Sequence, residues 1–218
     1  MHIFIGCALP GQLNIAVFAS GKGSNFQTIL EGIQTGSIRN AKIVVVISNN
    51  ANAGALAIAR ANKIPAIHLN RTDFPSDDEF NAALISVLEN RGANFIVLAG
   101  YIKLIDASIV RAFQNRIVNI HPALLPKFGG HGMYGRRVHE AVIAQNEKIS
   151  GATVHIVDER YDHGPIVLQK TVPVIAGDTP ESLAARVLQI EHELYPEAIR
   201  LFAEGKIVVH QQQITIQN

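Results

Sequence analysis

The chain has 218 residues, 48% of them hydrophobic, enough for one domain with a sizeable core. Lys+Arg 19 against Asp+Glu 18 leaves a net charge of +1, which excludes the basic field of a DNA- or RNA-binding protein. A single cysteine, Cys7, excludes an internal disulfide framework and multi-cysteine metal sites, and it fits a reducing compartment, read here as the cytoplasm.

Residues 1–13 are apolar, without a basic start, and their run 3–9 is broken by Gly6. This is too short for a membrane helix and lacks the charged start of a secretory signal. It reads as a disordered extension, an expression remnant or a misplaced start, with one domain over 14–218. No other stretch is long and apolar enough to span a bilayer, so neither membrane nor nucleic acid is expected as a partner. Small-molecule substrates remain, with the oligomeric state open.

From Asn14 a strand, a loop and a helix alternate. Residues 15–19 form the first strand and 25–34 the helix after it. Residues 42–48 contain Ile43-Val44-Val45-Val46-Ile47, a β-branched run of the kind buried on both faces of a parallel sheet. An Ala-rich helix follows over 53–62 and ends before Pro65. Residues 77–91 carry Phe80, Leu84, Val87 and Leu88 at helical spacing. Strands over 95–99 and 116–120 flank an amphipathic helix near 107–113. This order predicts an α/β doubly wound fold, a mostly parallel sheet with helices on both faces. After Gly151 the pattern changes: strands over 153–157 and 165–174 follow without a helix between them, an antiparallel pair at the C-terminal edge. Thr179 and Pro180 then open a helix that runs toward Phe202 and stops at Gly205.

Three places in this frame can carry chemistry. Ser20-Gly21-Lys22-Gly23-Ser24-Asn25 follows the first strand. Its backbone N–H groups and the helix N-terminus behind it could cradle a phosphate. A tight turn closed by a Ser24/Gln27 capping box fits equally well. Asn119 and His121 sit two apart at the end of a strand, so they emerge on one face, where ligands bind open α/β sheets. An amide and an imidazole there can both donate to a developing oxyanion. Asp162, in the loop 158–164, is by itself an ordinary turn aspartate. Facing His121 it would favour the imidazolium and complete an acid/base pair. No serine or cysteine stands in a nucleophile setting, which leaves the nucleophile to the substrate. His131, His139, His155 and His163 show no metal-ligand spacing, so no metal is expected; His155 reads as packed in its strand.

These residues resemble the phosphoribosylglycinamide formyltransferase family. The matching segments are Ala-Ser-Gly-Lys-Gly-Ser-Asn at 19–25, Ala-Gly-Tyr-Ile-Lys-Leu-Ile at 99–105 and Asn-Ile-His-Pro-Ala-Leu-Leu-Pro at 119–126. Gly-Ala-Thr-Val-His at 151–155, Asp-His-Gly-Pro at 162–165 and Glu-His-Glu-Leu-Tyr-Pro at 191–196 continue the series. The resemblance implies formyl transfer from 10-formyltetrahydrofolate to the amine of glycinamide ribonucleotide, without a metal. It implies that Gly23, Ser24 and Asn25 hold the phosphate and that Glu191 reaches the ribose. Ile102, Lys103, Leu104 and Ile105 would border the folate, with Val157, Asp158, Glu159, Arg160 and Tyr161 opposite. Asn119 would take part there too, acting with His121 and Asp162 as the catalytic set. A cis peptide between Leu125 and Pro126 is also implied. Two segments depart from the pattern: the glycine-rich insert 128–135 is longer than the usual loop, and Asp77 and Asp78 replace a basic residue that touches the folate tail in some members. Rival readings are a formyltetrahydrofolate deformylase and a non-catalytic nucleotide-binding module. A tRNA-directed formyltransferase would need a further C-terminal domain.

Overall fold

In the computed structural model, residues 11–210 and 213–217 are described. The apolar runs read from the sequence become β1 (Leu13–Phe18), β2 (Ala41–Ser48), β4 (Phe95–Leu98) and β5 (Ile117–His121), joined in parallel by helical crossovers. A three-residue strand, β3 (Ala66–His68), extends the outer edge beyond β2. The intervening helices are α1 (Ser24–Gln34), α2 (Gly54–Ala61), α3 (Asp77–Asn90) and α4 (Ala107–Ala112). After β5 come α5 (Arg136–Ala144), then the antiparallel strands β6 (Ile149–Ile156) and β7 (Ile166–Pro173), then α6 (Pro180–Ala203). A separate hairpin, β8 (Ile207–His210) with β9 (Gln213–Ile216), ends the described chain. The seven-stranded sheet has the order β3-β2-β1-β4-β5-β6-β7, so the predicted doubly wound class and its antiparallel edge pair are both observed.

Two apolar layers hold the sheet. On one side Phe26, Ile29 and Leu30 of α1, Leu56 of α2 and Leu183, Val187 and Ile199 of α6 pack against Ile15, Val17, Val97 and Val118. On the other, Leu84 and Leu88 of α3 and Ile109 of α4 cover Ala16, Phe18, Ile96 and Ile117. Alternate residues of β1 and β4 therefore feed opposite cores, which is why these strands read as unbroken hydrophobic runs. Ser76 caps α3 by accepting from the Glu79 N–H, and Thr179 with Ser182 forms a reciprocal box at the start of α6.

Some expectations shift. The first strand takes in Leu13, whereas residues 1–10 lie outside the described residues. The strand expected from 153 begins at Ile149, and α5, β3 and the final hairpin had no counterpart in the sequence reading. The Leu125–Pro126 peptide is cis. Among the described residues no helix is long and apolar enough to cross a membrane.

One side chain locks α6 to the sheet where the strands end. Tyr195 is fully buried, and its hydroxyl lies 3.1 Å from the Leu98 carbonyl and 3.0 Å from the Val118 carbonyl. Tyr195→Phe keeps the ring but strips both acceptors of their donor, which should cost about 1–3 kcal/mol. Urea denaturation should show a lower midpoint with an unchanged m-value; an unmoved midpoint would mean that the hydroxyl contributes nothing net.

Candidate active site

The strand order reverses beside β1: the chain winds outward through β2 and β3, then returns to place β4 on the other side of β1. Crevices at such a switch point, outside the carboxyl ends of the strands, are natural ligand sites. Here the crevice is a cavity of about 730 Å³ lined from the ends of β4 and β5, the segment 100–105, the loop 157–162, the glycine-rich segment 130–135 and one face of α6.

Asn119 and His121 end β5 and reach this cavity together. β6 runs antiparallel beside them, pairing Asn119 with His155 and His121 with Thr153. Asp162 comes from the loop after β6. Its backbone is left-handed, with φ 51°, a conformation Asp tolerates better than most residues, and this turn points the carboxylate back at the strand ends. Gly164 closes the base of the same loop so tightly that a Cβ there would lie 2.0 Å from the Ile156 carbonyl oxygen.

The carboxylate sits 11% exposed, with its Oδ2 3.4 Å from His121 Nδ1 and 3.0 Å from the Gly130 N–H. Asn119 Nδ2 lies 3.4 Å from its Oδ1 and His155 Nε2 lies 3.5 Å from the same atom. Burial alone would raise the Asp162 carboxyl, but its contacts with His121 and His155, the charge of His121 and the Gly130 N–H outweigh burial and hold it well below the usual carboxylate range. The ring of His121 is 3% exposed, and its Nε2 donates to the Phe128 carbonyl at 2.8 Å. Both of its nitrogens therefore face oxygen atoms, the Phe128 carbonyl on one side and the Asp162 carboxylate on the other. His155 is different. Its Nδ1 donates to the Ile156 carbonyl at 2.9 Å, and its Nε2 lies 3.1 Å from Asn119 Nδ2 and 3.5 Å from the Asp162 carboxylate. His155, read from the sequence as packed, thus joins the cluster. The signal was available: Thr153 and His155 are polar residues two apart in a strand, as Asn119 and His121 are.

The remaining site residues divide. Ile102, Lys103, Leu104 and Ile105 line the cavity, as do Val157, Arg160 and Tyr161. Ile102 and Leu104 are half exposed there, an apolar lip open to solvent. Asp158 and Glu159 are not among the lining residues; Asp158 pairs with His163 at 2.6 Å and Glu159 with Arg111 at 3.1 Å. Asn25 lines the cavity but Gly23 and Ser24 do not. Gly23 is the N-cap of α1 in a left-handed conformation, φ 84°, and a Cβ there would lie 2.8 Å from Ala55 Cα. The Ser24/Gln27 capping box is absent: α1 has no side-chain cap, and the Gln27 amide donates to Glu31 instead. The first-turn N–H groups of α1 are thereby left without a side-chain acceptor. Asn25 Nδ2 donates to Glu191 Oε2 at 2.6 Å, and its own Oδ1 is enclosed without a partner. Burial raises the Glu191 carboxyl, with Asn25 and the His121 charge pulling it down. Asp77 and Asp78 stand in the acidic first turn of α3, where Asp77 pairs with Arg71, and neither lines the cavity.

The depressed Asp162 carboxyl carries a sign. A group whose folded pKa lies below its unfolded value of about 3.9 stabilises the fold above that pH and loses the contribution as pH falls toward the folded value. Asp162→Asn should therefore be less stable than the parent at pH 7, and the gap should narrow below about pH 4. Thermal melts across pH 3–8 check this; a gap that widens in acid would contradict an ionised Asp162.

The formyl transferase family pattern matches residues 13–199. The chain is 47% identical over 199 residues to the chloroplastic phosphoribosylglycinamide formyltransferase of Arabidopsis thaliana and 45% identical over 194 residues to that of Vigna unguiculata. These alignments take in 91% and 89% of this chain and span 68% and 62% of the two relatives. The crystal structure of glycinamide ribonucleotide transformylase 1 from Symbiobacterium toebii superposes with a TM-score of 0.89 at 40% identity, covering 100% of this chain and 99% of that one. With the fold, the strand-end cluster and this similarity in agreement, the chain belongs to the formyl transferase family.

Proposed function

We propose that this chain transfers the formyl group of 10-formyltetrahydrofolate to the amine of glycinamide ribonucleotide, a step of purine biosynthesis, and that Asn119, His121 and Asp162 carry the chemistry. The observation behind the reading is the buried carboxylate of Asp162, enclosed between the Asn119 amide and the His121 imidazole at the end of β5. No serine, threonine or cysteine is among the described residues lining the cavity, so the substrate amine is the nucleophile that fits.

The chemistry follows from charge. As the amine nitrogen bonds to the formyl carbon, the carbonyl oxygen becomes an oxyanion and the amine becomes positively charged. Asn119 Nδ2–H and His121 Nε2–H supply donors for the oxyanion. The N–H that His121 gives to Phe128 is the one that would turn to it. The contacts of Asn119 and His121 to Asp162, both 3.4 Å, are long for hydrogen bonds, and such contacts tighten when substrate is bound. Asp162 orients the His121 ring and takes the proton released by the attacking amine, directly or through water. When the carbon–nitrogen bond of the donor breaks, that proton goes to the departing nitrogen, so the cycle closes without net proton uptake. The apolar lip at Ile102 and Leu104, opposite Val157 and Tyr161, offers a flat apolar ligand such as a pterin a place to lie. Asn25 and Glu191, with the uncapped N-terminus of α1, offer donors and an acceptor for a sugar phosphate. The reading keeps the cytoplasmic setting expected from the sequence.

Consumption of 10-formyltetrahydrofolate should require the ribonucleotide and yield its N-formyl product. Release of formate at the same rate without the ribonucleotide would make the chain a deformylase, and no turnover with tight ribonucleotide binding would make it a binding module. Loss of one oxyanion donor costs about 10²–10³ in kcat, so Asn119→Ala should fall in that range with a modest KM change. Because His121 and Asp162 act as one unit, His121→Ala/Asp162→Asn should be little slower than the slower single variant. Losses that multiply would mean independent groups.

A further inference from the structure

The seam between the glycine-rich segment and the loop after β6 holds contacts to which formyl transfer, as derived above, gives no role. Gly129 packs so closely that a Cβ there would lie 3.1 Å from Asp162 Cβ, and the Gly130 N–H lies 3.0 Å from Asp162 Oδ2. One residue on from this hydrogen bond in each segment, the rings of His131 and Tyr161 meet edge to face. Their centroids are 5.7 Å apart and their planes stand at 67°. Gly130 and Gly132 flank His131 in left-handed conformations, φ 97° and 85°, so beside it the segment offers no other side chain to close the seam.

Exposure grades across this seam. His121 is 3% exposed and Asp162 11%, whereas Tyr161 is 38% exposed and His131 is exposed too. The ring pair therefore lies on the solvent side of the groups that do the chemistry, and both rings line the cavity. What the pair covers matters, because Asp162 can take a proton from an amine or from water. If water attacks, its oxygen bonds to the formyl carbon and one of its protons goes to Asp162. The bond from that carbon to the folate nitrogen then breaks as the nitrogen takes the proton. Formate leaves, and its ionisation returns the second proton of the water to solvent. Asn119, His121 and Asp162 do not discriminate between the two acceptors, so access must.

We propose that the His131–Tyr161 contact is a seal that keeps water from the formyl carbon and so makes the site specific for an amine acceptor. The folate would cover the lip at Ile102 and Leu104, and the ribonucleotide the side of Asn25 and Glu191. The seam is the side that neither substrate covers. Closing it excludes the water that would otherwise hydrolyse the donor. The inference rests on the formyl-transfer reading and deepens it by naming the contact that selects the acceptor.

The test measures N-formyl ribonucleotide and formate together, at saturating ribonucleotide and 10-formyltetrahydrofolate, for the parent, His131→Ala, Tyr161→Ala and His131→Phe. The parent's product decides the reading itself: N-formyl ribonucleotide supports transfer, and formate alone makes the chain a deformylase. The formate-to-product ratio of each variant, relative to the parent, decides the seal. Being a ratio, it is unaffected by any fraction of misfolded enzyme. An edge-to-face ring pair shifts an equilibrium by about twofold to tenfold, so His131→Ala and Tyr161→Ala should each raise the ratio by that much. His131→Phe keeps a ring against Tyr161 and should hold the parental ratio. An unchanged ratio in either alanine variant, even with a raised KM for folate, would overturn the seal. So would a His131→Phe variant that releases as much formate as His131→Ala.

Discussion

A carboxylate buried where water is scarce must be compensated, and the architecture around Asp162 is organised by that requirement. An unpaired buried charge is costly enough that most side chains would neutralise instead. Asp162 is kept ionised because three different segments bring it four polar neighbours: β5 through Asn119 and His121, β6 through His155, and the glycine-rich segment through the Gly130 N–H. The compensation spans segments distant in the chain, and it couples the loop 158–164 to the segment that carries Phe128 and Gly130. Phe128 itself has φ 59°, a strained backbone for an aromatic residue, and its carbonyl accepts from His121 Nε2. Stability stored in the sheet is spent on holding this cluster in one arrangement.

The sheet can do this because its strand order opens a crevice where β1 and β4 part from their crossovers. β5 ends in that crevice, and the switch from parallel to antiparallel pairing after β5 lays β6 beside it, so Asn119 and His155 become direct cross-strand neighbours. α6 closes the back. Its Glu181, Ala184, Leu188 and Glu191 recur at helical spacing along the cavity wall, while Tyr195 ties the same helix to the carbonyls that precede the site. One helix thereby serves both the core and the wall, and its start is fixed by the Thr179 box.

What could be read from the sequence was what local chemistry dictates. Buried parallel strands announce themselves as β-branched runs, and Asn119 and His121 two apart at a strand end share a face on any sheet. Elements held by tertiary contact were silent. β3 is three residues long, and α5 follows a glycine-rich stretch with Val138 and Val142 its core-facing apolar pair, too little periodicity to stand out. The loop after β6 was legible only in part: Val157, Arg160 and Tyr161 face the cavity, whereas ion pairs with His163 and Arg111 engage Asp158 and Glu159 elsewhere. The turn before α1 misled for a backbone reason. With Gly23 as N-cap, the capping residue has no side chain to offer, and the Ser24/Gln27 pairing has no place to form.

The account stands on the contact between His121 Nδ1 and the Asp162 carboxylate. Nitrogen-15 NMR of the histidine side chains in the parent and in Asp162→Asn reads that contact directly. Removing the carboxylate should shift the His121 Nδ1 signal far more than the signal of a histidine outside the cluster, such as His163. A His121 signal that is the same in both proteins would contradict the account, because the carboxylate would then not face the ring.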